Sequence, residues 1–408
     1  MRLLLQRLIC QAYNVAHTNS QIVSNLIKSY ERSFSLQYRT LGKTGLSLSV
    51  LGFGAMRLPL VGEKVDREKA IPMIHRAFEG GVNYIDSAVF YCHQDSERAV
   101  GEALKGWRDK VIVSTKNHHY DKSDKAAWWR NLENSLERLQ VDYLDVYNHH
   151  GLNWKAFTEN VDGADGFYKE MQKARDQKMI RHICFSFHDS CENLIKLVDT
   201  GMFEAVTCQY NLLDRSNEEG IAHAHEKGMG VIIMGPVAGG RLGETGGSMA
   251  ELLPKGIAST PELALRFVIS NPNVTVALSG MSTMQHVEEN VATASRDVAL
   301  SDAEKADIET AIQQLKKLSD LYCTGCGYCL PCPQGVAIPD IFRQANLARV
   351  YGALEAAKQG YKWMIDQDKE DKKPATECVE CGKCEEKCPQ HIKIIEQLKK
   401  SHELLKSE

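Results

Sequence analysis

The sequence has no strong excess of charge of either sign and no long apolar run. Its 408 residues carry 49 lysines and arginines against 53 acidic residues, so the formal net charge is only −4. This balance gives no electrostatic field for nucleic acid or an anionic membrane. No stretch approaches the ~20 apolar residues that a membrane span needs. We therefore expect a soluble globular protein that binds neither nucleic acid nor membrane.

Two nucleotide-binding fingerprints are also missing. Residues 51–57 read LGFGAMR and lack the third glycine of the Gly-x-Gly-x-x-Gly turn that follows the first strand of a dinucleotide-binding sheet. No flavin fingerprint is visible either. The missing glycine disfavours a doubly wound open sheet, which remains the alternative fold.

The first 36 residues have little acidic character. They contain four basic residues and several serines but only one acid, Glu31. This composition resembles that of a transit peptide. The alternatives are a disordered tail or residues that result from a start codon placed too far upstream. We interpret residues 1–36 as an N-terminal extension and expect a cytoplasmic protein. An organelle of the mitochondrial type is the alternative location.

The sequence is rich in cysteine, and eight of its 13 cysteines form two runs near the C-terminus. The runs are Cys323, Cys326, Cys329, Cys332 and then Cys378, Cys381, Cys384, Cys388, and each ends in Cys-Pro. Three thiolates spaced by two residues can converge on one [4Fe–4S] cube, and the cysteine before proline can ligate a second cube. Zinc and disulfides are the alternatives, although zinc sites usually use two separated pairs.

The spacing predicts two [4Fe–4S] clusters with crossed ligation. One would be held by Cys323, Cys326, Cys329 and Cys388, and the other by Cys378, Cys381, Cys384 and Cys332. The first run has one residue fewer before its fourth cysteine than the second run. A domain with a single cluster is therefore the alternative. Thiolate ligands imply a reducing compartment.

Short β-branched runs alternate with amphipathic helical stretches through the centre of the chain. The predicted strands are Ser49–Phe53, Val82–Asp86, Val111–Lys116, Tyr143–Tyr147, Ile180–Phe185, Ala205–Gln209, Gly230–Met234 and Thr275–Leu278. Such alternation implies a parallel sheet, and eight repeats fit a closed (β/α)8 TIM barrel. We predict a hairpin before it, a capped helix after it from Ser301, a barrel domain over 37–319 and a small, mostly α-helical, ferredoxin-like iron–sulfur domain over 320–408.

Four polar residues fall at or near the carboxyl ends of neighbouring predicted strands, where barrel enzymes place their chemistry. Asp86 ends strand two, Tyr91 follows it, Lys116 ends strand three and His150 ends strand four, with His149 as a rival. A tyrosine beside a lysine and an acid can have its phenol pKa lowered. It can then donate a proton to a carbonyl oxygen while hydride arrives at the carbon.

Residues 38–320 resemble the aldo-keto reductase superfamily. The resemblance lies in 38–45 (YRTLGKTG), the spacing from Asp86 to Tyr91, Ser-Thr-Lys at 114–116, the strand ending at His150, and 287–290 (VEEN). A barrel followed by two cysteine runs resembles the iron–sulfur branch of that superfamily. The resemblance implies an NAD(P)H-dependent oxidoreductase acting on a small carbonyl substrate.

The resemblance also implies residue roles. Tyr91 would be the general acid, Lys116 and Asp86 its ion pair, and His150 the group that orients the carbonyl. Ser186, Gln209 and Met234 would contact the nicotinamide. The pyrophosphate loop would include Gly235, Gly239, Gly240 and Arg241, and the adenosine half would contact Gly280, Ser282, Glu289 and Asn290.

The chain departs from the family pattern at several positions. Cys92 and Cys184 stand where glycine is common, Phe187 replaces a frequent asparagine, and Asn148 is polar in a normally apolar strand position. No lysine or arginine near Gly280 is placed for a 2′-phosphate, so NADPH is expected and NADH is the alternative.

The clusters complicate the functional interpretation, because hydride carries two electrons and a [4Fe–4S] cluster accepts one. The first hypothesis is an NAD(P)H-dependent reductase of an aldehyde or ketone whose clusters are structural or serve a redox partner protein. The alternative is a redox-sensing or electron-transfer protein whose barrel binds nucleotide without turnover.

Overall fold

The computed structural model describes most of the chain from Leu36 onward. The described residues are 36–119, 121–212, 214–238, 242, 253, 257–296, 300–301, 303–310, 323, 329–351, 354–367, 370, 372–388 and 392–406. The predicted extension over 1–36 lies outside them except for Leu36, and so does the predicted domain boundary at 319–320. Both therefore stay predictions.

The chain divides into two compact units. The first comprises residues up to 209, 217–234 and 268–299, and the second comprises 210–216, 235–267 and 300–408. All eight barrel strands belong to the first unit, and both cysteine runs belong to the second.

The first unit contains a closed barrel of eight parallel strands, which confirms the (β/α)8 prediction. In chain order around the barrel the strands are β3 (Leu51–Gly54), β6 (Tyr84–Asp86), β7 (Ile112–Asn117), β8 (Leu144–Leu152), β9 (Ile180–Phe187), β10 (Ala205–Gln209), β11 (Gly230–Met234) and β12 (Val276–Ser279). All eight predicted runs overlap these strands, and their ends are displaced by at most five residues, the most at the end of β8. Continuous β-branched and apolar runs form them because a parallel barrel strand is covered on both faces.

Helices alternate with the strands as the amphipathic stretches predict. They are α1 (Arg67–Glu79), α2 (Ser96–Ala103), α3 (Lys125–Leu139), α4 (Trp154–Ala156), α5 (Phe167–Asp176), α6 (Cys191–Asp199), α7 (Glu218–Glu226), α8 (Thr260–Ser270) and α9 (Met284–Ala294), with a π-helical turn at Phe157–Val161. Side-chain caps start several of them: the Asp124 carboxylate accepts from the Ala127 N–H at 2.9 Å at the start of α3.

An antiparallel hairpin precedes the barrel, as predicted. It pairs β1 (Tyr38–Thr40) with β2 (Ser47–Ser49), and a second small hairpin pairs β4 (Leu60–Val61) with β5 (Lys64–Val65). Leu41 and Leu48 of the first hairpin join the buried cluster that contains Cys184 and Ile232. The unexpected Cys184 is therefore an apolar core residue rather than a reactive group.

The described C-terminal part of the second unit is helical. Its helices are α10 (Ile338–Tyr351), α11 (Leu354–Asp366), α12 (Lys383–Glu386) and α13 (Ile394–Leu405). Ile341, Phe342, Tyr361 and Leu398 are among the buried residues of its core. Earlier in this unit, the Ser301 hydroxyl accepts from the Glu304 N–H at 3.2 Å and the Glu304 carboxylate accepts from the Ser301 N–H at 2.9 Å. This reciprocal pair is the predicted capping box.

Within the described ranges, no helix combines the length and the apolar character that a membrane-crossing segment requires.

The turn of the first hairpin offers a matched test of how tightly the hairpin fits the barrel. Gly42 and Gly45 both have positive φ, but a β-carbon on Gly42 would lie 2.4 Å from the Gly230 nitrogen, whereas nothing lies within 4 Å of one on Gly45. Gly45→Ala should cost about 1–2 kcal/mol from backbone strain alone. Gly42→Ala should cost a further 1–3 kcal/mol, roughly, from overpacking. Urea midpoints followed by circular dichroism measure both, and equal midpoints would contradict the close approach.

Candidate active site

A buried ion pair occupies the carboxyl ends of two neighbouring strands. The Lys116 ammonium on β7 donates to Asp86 Oδ2 on β6 at 2.5 Å and to the Ser87 carbonyl at 2.7 Å. Lys116 is 2% exposed and Asp86 3%. Burial lowers the pKa of Lys116, but the Asp86 and Tyr91 oxygens outweigh burial, and the net pKa is raised. The lysine is therefore a fixed positive charge at neutral pH.

A hydrogen-bonded layer behind the pair fixes the Asp86 carboxylate. The Ser114 hydroxyl donates to Asp86 Oδ1 at 2.8 Å, and the Asn148 amide donates to the Ser114 oxygen at 3.1 Å and to the Thr115 carbonyl at 3.3 Å. Both side chains are buried. Asn148, which is polar at a normally apolar strand position, thus links β8 to Ser114 on β7, the residue that binds the Asp86 carboxylate.

Tyr91 lies over the ion pair. The Lys116 nitrogen is 5.1 Å from the centre of the tyrosine ring. Burial raises the pKa of the Tyr91 phenol, the Lys116 charge lowers it and the Asp86 charge raises it, with a net increase. The expectation of a lowered phenol pKa is therefore wrong, because burial opposes the lysine. The phenol is protonated at neutral pH and can act as a proton donor.

The two histidines at the end of β8 lie in different surroundings. The His150 ring is half-buried and edge-on to Tyr91, with ring centres 6.3 Å apart. His149 is fully buried between Phe167 and Phe203. Burial first, and then the Lys116 charge, lower the pKa of His150 to about 3, so its imidazole is neutral. The structure thus brings His150, and not His149, beside Tyr91.

The three residues expected to contact nicotinamide lie at or next to the carboxyl ends of barrel strands. Ser186 is on β9, and its hydroxyl already accepts from the Gly151 N–H at 2.8 Å. Gln209 ends β10 and pairs in register with Met234, which ends β11. Both of these side chains are half-buried. Gln209 and Met234 are therefore accessible from the carboxyl end of the barrel, while Ser186 also ties β9 to β8.

The residues expected to contact the adenosine half lie after β12 and on α9. The buried Asn290 amide donates to Ser279 Oγ at 2.9 Å, while exposed Glu289 accepts from Gln285 Nε2 at 2.7 Å. Ser282 and Gly280 are half-buried, and a β-carbon on Gly280 would lie 3.3 Å from the Arg57 side chain. Glycine thus leaves room there for the arginine.

The predicted pyrophosphate loop is only partly described. Gly235 has a φ of +66°. Its carbonyl accepts from the Asn211 amide at 3.0 Å. Gly239, Gly240 and Arg241 lie outside the described residues.

Cysteines of both runs line one cavity of about 220 Å³ in the second unit. Its thiols belong to Cys329, Cys332, Cys378, Cys381 and Cys384. Burial, with smaller contributions from neighbouring Cys378 and Cys332, raises the pKa of the Cys384 thiol to about 11. The set predicted for one cluster, three thiols of the second run and Cys332 of the first, therefore faces a common space.

The other predicted cluster set is described in part. Cys323, Cys329 and Cys388 pack against the same helical core, whereas Cys326 lies outside the described residues. The described residues contain no group of three or more His, Cys, Asp or Glu side chains arranged to hold a metal ion. The ligands of a single ion share one coordination shell, whereas each cysteine of a cubane binds a different iron.

Sequence reasoning missed the groups that support the ion pair. Buried Glu97 accepts from Thr115 Oγ1 and from Arg138 Nε, each at 2.6 Å, and so anchors β7 next to Lys116. In the sequence, Ser114 stands out only as part of the Ser-Thr-Lys motif at 114–116. Its spacing from Asp86 in the chain carries no signal, because the contact is made between strands.

Comparison with known proteins bears on both parts of the chain. The family model described as aldo/keto reductase family matches residues 50–313. A second model, the 4Fe-4S dicluster domain, matches residues 322–392.

Individual relatives cover the barrel rather than the whole chain. L-galactose dehydrogenase of Arabidopsis thaliana is 28% identical over 312 residues, covering 70% of this chain and 97% of that protein. The holo form of an aldo-keto reductase of Bacillus halodurans is 28% identical with a TM-score of 0.58, over 68% of this chain and 96% of that one. An aldo/keto reductase of Klebsiella pneumoniae in complex with NADP and acetate is 26% identical with a TM-score of 0.55, over 66% and 93% of the two chains. The chain belongs to the aldo/keto reductase family of NAD(P)H-dependent oxidoreductases and carries a 4Fe-4S dicluster domain after its barrel.

Proposed function

We propose that the barrel uses NADPH to reduce an aldehyde or ketone to an alcohol, and that the cysteine runs hold two [4Fe–4S] clusters. The observation that carries the first part is the buried Lys116–Asp86 pair, with Tyr91 and His150 beside it. A protonated phenol, a fixed ammonium and a neutral imidazole meet at adjacent strand ends, where barrel enzymes act.

The residues present fit a nicotinamide nucleotide. Half-buried Gln209 and Met234 end adjacent strands, and the Gln209 amide can both donate to and accept from a carboxamide. Ser282, Gly280 and Glu289 are accessible for the adenosine half. The Klebsiella pneumoniae relative binds NADP, which supports NADPH here, with NADH as the alternative.

The side chains divide the remaining chemistry among them. When bound, the reduced nicotinamide supplies a hydride to the carbonyl carbon. The Tyr91 phenol donates its proton to the carbonyl oxygen, so that one hydride and one proton give the alcohol. The Lys116 charge stabilises the phenolate that remains, and the neutral His150 ring donates a hydrogen bond that orients the carbonyl.

The donor set of the second unit fits iron–sulfur ligation. Cys378, Cys381, Cys384 and Cys332 line one cavity, which supports the crossed arrangement expected of a two-cluster domain. Cys323, Cys326, Cys329 and Cys388 would hold the other cluster. One-electron carriers of this kind suit a redox partner protein, which we include in the proposal.

Removing the phenol hydroxyl tests the reductase. Tyr91→Phe should lower kcat by about 10²- to 10⁴-fold, because it deletes the proton donor, and should leave nucleotide affinity nearly unchanged. Steady-state assays of anaerobically purified protein with NADPH and with NADH measure this. Tyr168→Phe, a half-buried tyrosine on α5, is the control. If wild-type protein binds nucleotide and reduces no carbonyl, the non-catalytic electron-transfer alternative is favoured.

The ion pair can be tested through stability. Asp86→Asn leaves the buried Lys116 ammonium without its counter-charge and should destabilise the barrel by about 3–5 kcal/mol. The double variant Asp86→Asn with Lys116→Met removes both charges and should recover much of that loss. Urea midpoints compare them. A double variant as unstable as the single one would mean that the charge imbalance is not the cause.

Ligation across the two runs predicts a specific loss of iron. Cys332 belongs to the first run by sequence, yet Cys332→Ala should abolish the cluster held by Cys378, Cys381 and Cys384. Iron should fall from about eight to about four atoms per chain. Cys191→Ala, a half-buried cysteine on α6, should retain all iron. Full iron content and an unchanged electron paramagnetic resonance spectrum in Cys332→Ala would refute crossed ligation.

A further inference from the structure

A second imidazole lies beside the predicted carbonyl site. His188 follows directly after β9, and Gly151 follows His150 on β8. A β-carbon built on Gly151 would meet one described side-chain atom within 4 Å, His188 Cδ2 at 3.8 Å. Glycine therefore leaves the space next to His150 without a side chain of its own, and the His188 ring borders that space.

The two histidine-bearing segments are held together by hydrogen bonds. The Gly151 N–H donates to Ser186 Oγ at 2.8 Å, and the Ser186 hydroxyl is 3.4 Å from the His149 carbonyl that accepts from it. Gly151 has a φ of +72°, a left-handed conformation that favours glycine. The positions of His150 and His188 are thus fixed relative to each other by backbone geometry.

The electrostatic setting decides what His188 can recognise. Burial first, and then the Lys116 charge, lower the pKa of His188, and His188 in turn contributes to the lowered pKa of His150. Both rings are neutral at pH 7. A neutral imidazole has one donor and one acceptor, the same complement as an alcohol hydroxyl. It lacks the positive charge that a carboxylate would require.

The side chain is also reachable. Protein atoms surround much of His188, which lowers its pKa, but its surface is still accessible to solvent, whereas the neighbouring Ser186 and Phe187 are buried. The His188 side chain is therefore accessible from solvent rather than enclosed in the core. Phe90, the residue before Tyr91, is 54% exposed. A substrate with its carbonyl against Tyr91 and His150 has the His188 ring at the border of the neighbouring space over Gly151.

We propose that His188 is a substrate-contacting residue that binds a hydroxyl group on the carbon next to the carbonyl, and that hydroxy-aldehydes and hydroxy-ketones are the preferred substrates. This inference rests on the proposed reductase function and specifies its substrate class. The contact is a hydrogen bond and leaves the balance of hydride and proton unchanged. Its effect is discrimination: a site that hydrogen-bonds a hydroxyl rejects the analogue that lacks one.

Matched substrates separate this role from a structural one. Glyceraldehyde and propanal share a three-carbon skeleton and differ in their hydroxyls. Wild-type protein, with clusters loaded, should show a higher kcat/KM for glyceraldehyde. His188→Phe should lower that value by about 10- to 100-fold, the effect of losing one hydrogen bond, and change the value for propanal little. His188→Gln, which keeps a donor and an acceptor, should retain part of the preference.

The controls make each outcome decisive. His225→Phe changes an exposed histidine on α7 and should leave both substrates unaffected. Nucleotide affinity, measured for every variant, identifies any that fail to fold; if His188→Phe fails, the comparison uses His188→Gln and His188→Asn. Equal losses on both substrates, or no loss on either, would overturn the assignment, as would a wild-type enzyme that prefers propanal. If nucleotide-bound wild-type protein reduces neither, the reductase proposal itself fails and this inference falls with it.

Discussion

The barrel's site depends on one buried charge, the Lys116 ammonium. Removing an ammonium and a carboxylate from water is costly unless both are well paired and hydrogen-bonded. Here Asp86 and the Ser87 carbonyl take up the ammonium, and Ser114 takes up the other carboxylate oxygen. These contacts require β6 and β7 to stay in register, so the geometry of the ion pair depends on the folded barrel.

The same charge shifts the pKa values of the neighbouring Tyr91, His150 and His188. It opposes burial at Tyr91 and acts with burial at His150 and His188. The result is one protonated phenol and two neutral imidazoles around a permanent cation. In the proposed reaction, the tyrosine beside this lysine is the proton source and the histidines are neutral hydrogen-bonding groups.

The fold was largely predictable because its signals are local. Eight β-branched runs between amphipathic stretches mark the strands, and a Ser301–Glu304 pair marks a helix start. The helical character of the cysteine-rich domain was predictable too, but not its division into α10, which ends at Tyr351, and α11, which begins at Leu354.

For the site, the sequence predicts which residues take part but not their burial or their contacts. Strand-end position singles out Asp86, Lys116 and His150, but burial decides the phenol pKa, and burial cannot be read from neighbours in sequence. Asn148 looked anomalous because its partner Ser114 lies on another strand. His188 gives no signal in the sequence, since the role proposed for it depends on the missing side chain at Gly151.

The shared cysteine cavity has a consequence for how the protein is made. Its walls include Cys332 and Cys384, so the four-thiol set does not exist until synthesis has passed residue 384. A nascent chain that has emerged only as far as the first run exposes those thiols with nothing to complete the set. With the proposed crossed ligation, insertion of the cluster that uses these thiols follows translation of the second run. Until then these thiols are open to oxidation, and the oxygen tension during biosynthesis becomes a determinant of yield.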